Sequence, residues 1–171
     1  MNETQSTFLI HLRKEAIKFS SAHMTVFSDG EKEPIHGHNY QVELSVELDN
    51  AAKILKNMIS FQVFKDSMKT ICKEWDEKVL IPLKCPYLTE FKESSTSVDF
   101  KLCGKHYLLP LDETIGLPVD NISTETLATE FLSKLVVALK RDMGIKYIHS
   151  LSLRIDESRG QGASVFWSSK K

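Results

Sequence analysis

Apolar residues in the first part of the chain recur at every second position. Phe8, Ile10 and Leu12 share one phase and Ile17 and Phe19 the other. A strand running from Phe8 to His23 therefore changes phase near Arg13 to Ala16, the mark of a bulge. Gln41 to Asp49 alternates polar and apolar residues without a fault and predicts a second, half-buried strand. From Phe61 the period changes. Phe61, Phe64, Met68, Ile71 and Trp75 recur at helical spacing, and Ser60 is placed to cap the first turn. This helix ends in the run from Trp75 to Pro82. A second helix opens at Ser123 and carries Glu125 at the positive end of its dipole. It presents Leu127, Phe131, Leu135 and Leu139, with Ala128, Leu132 and Val136, as one broad apolar face. Arg141 falls in its last turn and Gly144 is placed as its C-terminal cap.

Ile148 to Glu157 and Ala163 to Trp167 read as two closing strands. Between the helices, residues from about 83 to 118 read as an inserted excursion. It contains a hairpin of Val98 to Leu102 and His106 to Leu109, turning at Gly104-Lys105. The order strand, strand, helix, excursion, helix, strand, strand predicts an α+β fold, an antiparallel sheet backed by helices in one domain over residues 1–171.

A chain of 171 residues with 42% hydrophobic residues, 26% charged residues and a formal net charge of −1 can bury its own core. The near-neutral balance and the lack of a basic run argue against nucleic acid or anionic membrane as the main partner. No apolar run reaches the roughly 18 residues that a membrane span needs. Cys72, Cys85 and Cys103 are odd in number and lack the close paired spacing of a zinc knuckle or redox motif, so a reducing, cytoplasmic location is expected.

The alternation carries the chemistry. His36 and His38 lie in phase with Tyr40, Val42, Leu44, Val46 and Leu48 and so face inward. His23 ends the run of Ile17, Phe19 and Ser21, and antiparallel pairing of the two strands would bring it opposite the His-x-His pair. Three imidazoles without a fourth Cys, His or carboxylate in register are the ligand set of a catalytic zinc site, which keeps one position open. The plainer alternative is three polar strand-end residues satisfied by hydrogen bonds. The loop from Met24 to Ile35 turns at Asp29-Gly30 and delivers Glu33 just ahead of the pair.

Glu157 continues the inward phase of Leu151, Leu153 and Ile155. An inward carboxylate is paired or waits for a ligand, and a 2-amino-4-oxo-pyrimidine edge offers it two parallel N–H donors. The alternative is a strand-end Glu in water. His11 lies in the outward phase, and His106 is either an exposed strand residue or one that reaches a neighbouring chain.

Phe19-Ser20-Ser21-Ala22-His23, His36-Gly37-His38-Asn39-Tyr40, Trp75-Asp76, Asn121 to Ala128 and Asp156-Glu157 together resemble the 6-pyruvoyl-tetrahydropterin synthase superfamily, which includes the 6-carboxy-tetrahydropterin synthases. The resemblance implies a tunnelling fold, in which two-helix, four-stranded units assemble into a barrel-shaped oligomer, usually a hexamer, with active sites between subunits. It implies zinc on His23, His36 and His38, and a pterin substrate anchored by Glu157 with Ser123, Thr124 and Glu125 near its ring. Asp76 matches the Asp that stands beside the family's proton-transfer His and is implied to be catalytic.

Two positions depart from the pattern. Lys32 stands where the family usually has a catalytic Cys, and Glu77 where it has a His. Glu33 instead completes a Glu-x-x-His-Gly-His motif similar to that of a subgroup making 6-hydroxymethyl-7,8-dihydropterin, a folate precursor. Glu33 is thereby the expected base for cleaving the side chain of dihydroneopterin triphosphate or a related dihydroneopterin. The rivals are 6-pyruvoyl- or 6-carboxy-tetrahydropterin synthesis and a zinc- and pterin-binding protein without turnover.

Overall fold

The computed structural model describes residues 8–48, 59–142 and 147–169. Among these residues ten strands and two α-helices follow one another as β1 (Phe8–Leu12), β2 (Lys18–His23), β3 (His36–Leu48), α1 (Phe61–Trp75), β4 (Lys78–Pro82), β5 (Leu88–Glu93), β6 (Ser97–Leu102), β7 (Lys105–Pro110), β8 (Thr114–Leu117), α2 (Thr124–Asp142), β9 (Ile148–Ser158) and β10 (Gln161–Ser168).

The expected break in the first strand separates β1 from β2. Both pair antiparallel with one side of β3, from Phe8↔Leu48 to Leu12↔Leu44 and from Lys18↔Gln41 to His23↔His36. The bulge is held by Gln41, whose side-chain amide donates to the carbonyls of Lys14 (2.9 Å) and Ile17 (3.0 Å). On the other side of β3 lies β9, and β10 lies beyond it, all antiparallel. This antiparallel unit agrees with the four-stranded sheet that the family resemblance implied.

Two short strands that the sequence pattern did not reveal extend the sheet. β4 runs parallel to β2 and β8 parallel to β4, giving the order β10-β9-β3-β2-β4-β8. The run from Trp75 to Pro82 is thus only briefly helical. Asp76 caps α1, and Glu77 adopts a left-handed φ of 58° that sends the chain back along β2, its N–H bonded to the Ser20 carbonyl at 2.7 Å. A non-glycine residue there costs on the order of 1 kcal/mol, which these strand-edge bonds offset.

One face of the sheet is apolar and covered by the helices. Tyr40, Val42, Leu44, Val46 and Leu48 of β3 and Ile148, Leu151, Leu153 and Ile155 of β9 are all buried. Phe64, Met68, Ile71 and Trp75 of α1 and the Leu127–Leu139 face of α2 pack on them. Trp75 joins the layers, edge-on to Phe131 of α2 (5.5 Å) and to Phe19 of β2 (5.4 Å). Each such side chain contributes about 1.5–3 kcal/mol on burial. Ser60 caps α1 as expected, accepting from the Gln62 N–H at 3.2 Å. Gly144 and Asp49 lie outside the described residues.

Residues 88–110 of the excursion form a sheet of their own, β5-β6-β7, because Leu88–Glu93 adds a third strand to the expected hairpin, whereas β8, which the expected bounds of about 83 to 118 include, belongs to the main sheet. Its turn falls at Cys103-Gly104, one residue earlier than the sequence suggested, with φ of 50° and 73°. Two successive positive φ values give the twist that a tight hairpin needs. A second core gathers Val98, Phe100 and Leu102 of this sheet with Met24 and Val26 from the loop that follows β2. That loop is therefore packed from below.

Candidate active site

Strand register alone sets three imidazoles together. His23 pairs with His36 across β2 and β3, and Ser21 with His38, so all three rings share the face that carries Phe19 and Tyr40. Ring centroids lie 4.6 Å (His23 to His36), 5.3 Å (His23 to His38) and 4.9 Å (His36 to His38) apart. One ring nitrogen from each falls within 4.8 Å of the other two.

Backbone carbonyls select the tautomers. His23 Nδ1 bonds to the Ile122 carbonyl (3.1 Å) and His36 Nδ1 to the Pro34 carbonyl (2.9 Å). A carbonyl only accepts, so each Nδ1 carries the proton and each Nε2 presents a lone pair. His23 is 2% exposed, and its Nε2 is buried without a hydrogen-bond partner. An orphaned buried acceptor flanked by two imidazoles fits a metal ion, and the triad could hold one with a fourth position open to water or substrate. Burial above all, then the charges of His36 and His38, lowers the His23 pKa to about 4 against the pull of the Ile122 carbonyl. The neutral imidazole needed for ligation is thereby the resting form.

One carboxylate, Glu33, approaches this cluster, and a second, Glu157, acts on the neighbouring Tyr40. Glu33, partly exposed at the end of the loop, places Oε2 3.9 Å from His36 Nε2. Its N–H bonds to the Thr25 carbonyl at 2.9 Å. The Thr25 hydroxyl, and after it the charges of His36, His23 and His38, hold the Glu33 carboxyl below its ordinary range although burial opposes them. Glu157 sits at the end of β9, half-buried, beside Asp156, which pairs with Gln41. The Gln161 side-chain amide donates to it.

Tyr40 links the two. Its ring lies 5.7 Å from that of His38 and 6.2 Å from that of His23, and its hydroxyl is buried without a partner. Burial first, then the charges of Glu157 and Glu33, raises its pKa above the usual tyrosine range. Both carboxylates are thus within electrostatic reach of one phenol beside the triad.

The other sequence candidates occupy supporting positions. Ser123 and Thr126 cap α2 reciprocally, with Ser123 N–H to Thr126 Oγ1 at 3.0 Å and Thr126 N–H to Ser123 Oγ at 3.4 Å. Thr124 Oγ1 is 3.5 Å from Glu125 Oε2, and the Ser123 hydroxyl is the main cause of the lowered Glu125 pKa. These residues follow Ile122, the carbonyl partner of His23, so the helix start adjoins the triad. Asp76 is exposed and its carboxylate accepts from the Ser20 N–H at 2.7 Å, three residues before His23. Within one chain it pins β2 rather than joining the histidines. His106 is exposed and bonds to Asp99 at 2.6 Å.

Sequence reasoning missed Asn121 as a clamp. Its side chain accepts from the Val26 N–H (2.9 Å) and donates to the Val26 carbonyl (2.8 Å), tying the loop to the start of α2. Asn121 opens the motif that runs to Ala128, but nothing in its spacing points to Val26, 95 residues away.

The family model for 6-pyruvoyl tetrahydropterin synthase matches residues 11–166. The chain belongs to this family. A putative 6-carboxy-5,6,7,8-tetrahydropterin synthase of Methanocaldococcus jannaschii is 31% identical over 147 residues, covering 86% of this chain and 88% of the relative. The fold matches the 6-pyruvoyl tetrahydropterin synthase of Plasmodium falciparum (TM-score 0.85, 24% identity, 96% of this chain and 99% of that one). It matches the Plasmodium vivax protein of the same name equally well (TM-score 0.84, 21% identity, 96% and 99%). As a member of the 6-pyruvoyl tetrahydropterin synthase family, the chain is an enzyme of the pterin synthase type, with the tunnelling fold. No helix among the described residues is long and apolar enough to cross a membrane.

Proposed function

We propose that this protein is a zinc-dependent lyase converting 7,8-dihydroneopterin triphosphate, or a related dihydroneopterin, to 6-hydroxymethyl-7,8-dihydropterin in the cytoplasm, for folate biosynthesis. The observation that carries the reading is Glu33, ionised and 3.9 Å from His36, beside a triad with an orphaned Nε2. A solved variant of the P. vivax relative in which a catalytic glutamate is replaced by alanine supports a Glu-based mechanism in this family.

Zinc held by His23, His36 and His38 would acidify and orient the side-chain hydroxyls of the substrate. Glu157 takes the amino and ring N–H pair of the pterin, fixing the side chain toward the triad. Ser123, Thr124 and Glu125 border the ring at the start of α2. Glu33 removes the proton of the 2′-hydroxyl. The C1′–C2′ bond then breaks, C2′ leaves as an aldehyde, and the electron pair left on C1′ delocalises into the pterin before C1′ is protonated. Positioned acid–base groups contribute on the order of 10² to 10⁴ in rate. Asp76 acts in the proton relay of a site formed between subunits of a hexamer.

Incubation with dihydroneopterin triphosphate and mass analysis of the product tests the reading. The mass of 6-hydroxymethyl-7,8-dihydropterin is expected. A product that has lost triphosphate but kept all three side-chain carbons would replace it with 6-pyruvoyl-tetrahydropterin synthesis. A 6-carboxy product, the reading that the M. jannaschii relative favours, would likewise overturn it.

A further inference from the structure

We infer that the β5–β7 sheet is a positioning platform for the loop that carries Glu33, with Tyr107 as the seat for Lys32 and Tyr87 as the hold on the loop tip. The loop joins His23 to His36, so its path sets where the Glu33 carboxylate stands relative to the triad. Its own bonds are few: Phe27 N–H to the Glu31 carbonyl (2.7 Å), Gly30 N–H to the Phe27 carbonyl (3.0 Å), Glu31 N–H to Asp29 Oδ1 (3.1 Å) and Glu33 N–H to the Thr25 carbonyl (2.9 Å). A loop with so few internal bonds depends on what it rests upon.

The platform meets it at three points. Met24 and Val26 enter the apolar core of the three-stranded sheet beside Phe100 and Leu102. The Tyr87 hydroxyl donates to the Ser28 carbonyl at 3.0 Å. The Tyr87 ring lies so close to Gly30 that a Cβ there would stand 2.9 Å from it, at a φ of 82° that also favours glycine. Finally, the Lys32 ammonium sits 5.2 Å from the centroid of Tyr107 while donating to the Glu33 carbonyl at 3.0 Å. One cation therefore grips the ring of the platform and the peptide of Glu33 at once, and Tyr107 is itself stacked on Phe100 at 5.2 Å.

The ring face, not the phenol hydroxyl, makes the seat, and this sets the test. Amide exchange of residues 24–35 is followed in the full chain together with kcat and KM for dihydroneopterin triphosphate and metal content. Tyr107→Leu should raise exchange about two- to fivefold, the range of one partly exposed cation–π contact, and should lower kcat several-fold with metal content unchanged. Tyr107→Phe should restore both. Lys32→Met, which leaves the β5–β7 core intact, should reproduce the loss, and Lys32→Arg should rescue it. Wild-type exchange in both Tyr107→Leu and Lys32→Met would overturn the platform, and so would Tyr107→Phe behaving like Tyr107→Leu. The link to kcat rests on Glu33 being the base. Raised exchange with unchanged kcat would uphold the platform and remove Glu33 from the chemistry.

Discussion

His23 on β2 stands directly across from His36 on β3, with ring centroids 4.6 Å apart and with the carbonyls of Ile122 and Pro34 holding the Nδ1 protons away from the shared space. Two lone pairs thereby face the shared space, and His38 brings a third ring nitrogen within 4.8 Å of the other two. Replacing His23 by Ala removes the most buried of the three donors. The variant should lose bound metal and turnover together, as read by elemental analysis of protein prepared without chelator. A variant that keeps metal and loses only activity would show that the ion sits elsewhere.

The same burial makes the metal-free protein sensitive to acid. His23 has a folded-state pKa of about 4 against an ordinary 6.5, so the unfolded chain binds the proton more readily. Stability from this group is full above pH 6.5 and is lost as pH falls from there toward 4. The difference is on the order of 3 kcal/mol across the window. Denaturant melts of chelated protein should show the decline between these values, and His23→Gln, which does not titrate, should flatten it.

Glu33→Ala should reduce kcat by about 10² to 10⁴ with metal content unchanged. Because the Thr25 hydroxyl and the neighbouring imidazoles lower the Glu33 pKa, the acid limb of the rate profile should lie below the ordinary glutamate range. Thr25→Val should move that limb to higher pH. An acid limb that Thr25→Val leaves in place would assign it to another group.

Glu157→Gln keeps the shape of the side chain and removes the charge that we propose pairs with the pterin edge. Charge-assisted hydrogen bonds contribute about 1.5–3 kcal/mol, so pterin affinity should fall by roughly one to two orders of magnitude with metal content unchanged. Fluorescence titration with a pterin reads this directly. The altered charge should also relieve the upward shift of the Tyr40 phenol, in part only, because burial is its larger cause.

Asp76 distinguishes a role within the chain from one between chains. Asp76→Asn retains an oxygen for the Ser20 N–H and should keep the melting temperature, whereas Asp76→Ala hands that exposed strand-edge donor to water and should cost about 0.5–1.5 kcal/mol. A fall in kcat for Asp76→Asn at unchanged stability is expected if the carboxylate serves a neighbouring site. Unchanged kcat would leave it a pin for β2.

Features that depend on periodicity were legible in the chain alone. Alternation from Phe19 to His23 and from His36 to Leu48 placed three histidines and Tyr40 on one face, because side chains in a strand repeat every two residues whatever the surroundings. The stripes of α1 and α2 were equally legible, since an amphipathic helix advertises its buried face. Tertiary structure alone decided β4 and β8, whose parallel pairing depends on the left-handed turn at Glu77 and on an edge of β2 that only the folded sheet exposes. It also decided which carbonyl fixes the His23 tautomer, that Asn121 clamps Val26, and that Tyr107 lies beneath Lys32. These are contacts between residues far apart in the chain. They leave no local pattern, because distance along the sequence says nothing of distance in space once packing rather than repeat brings two groups together.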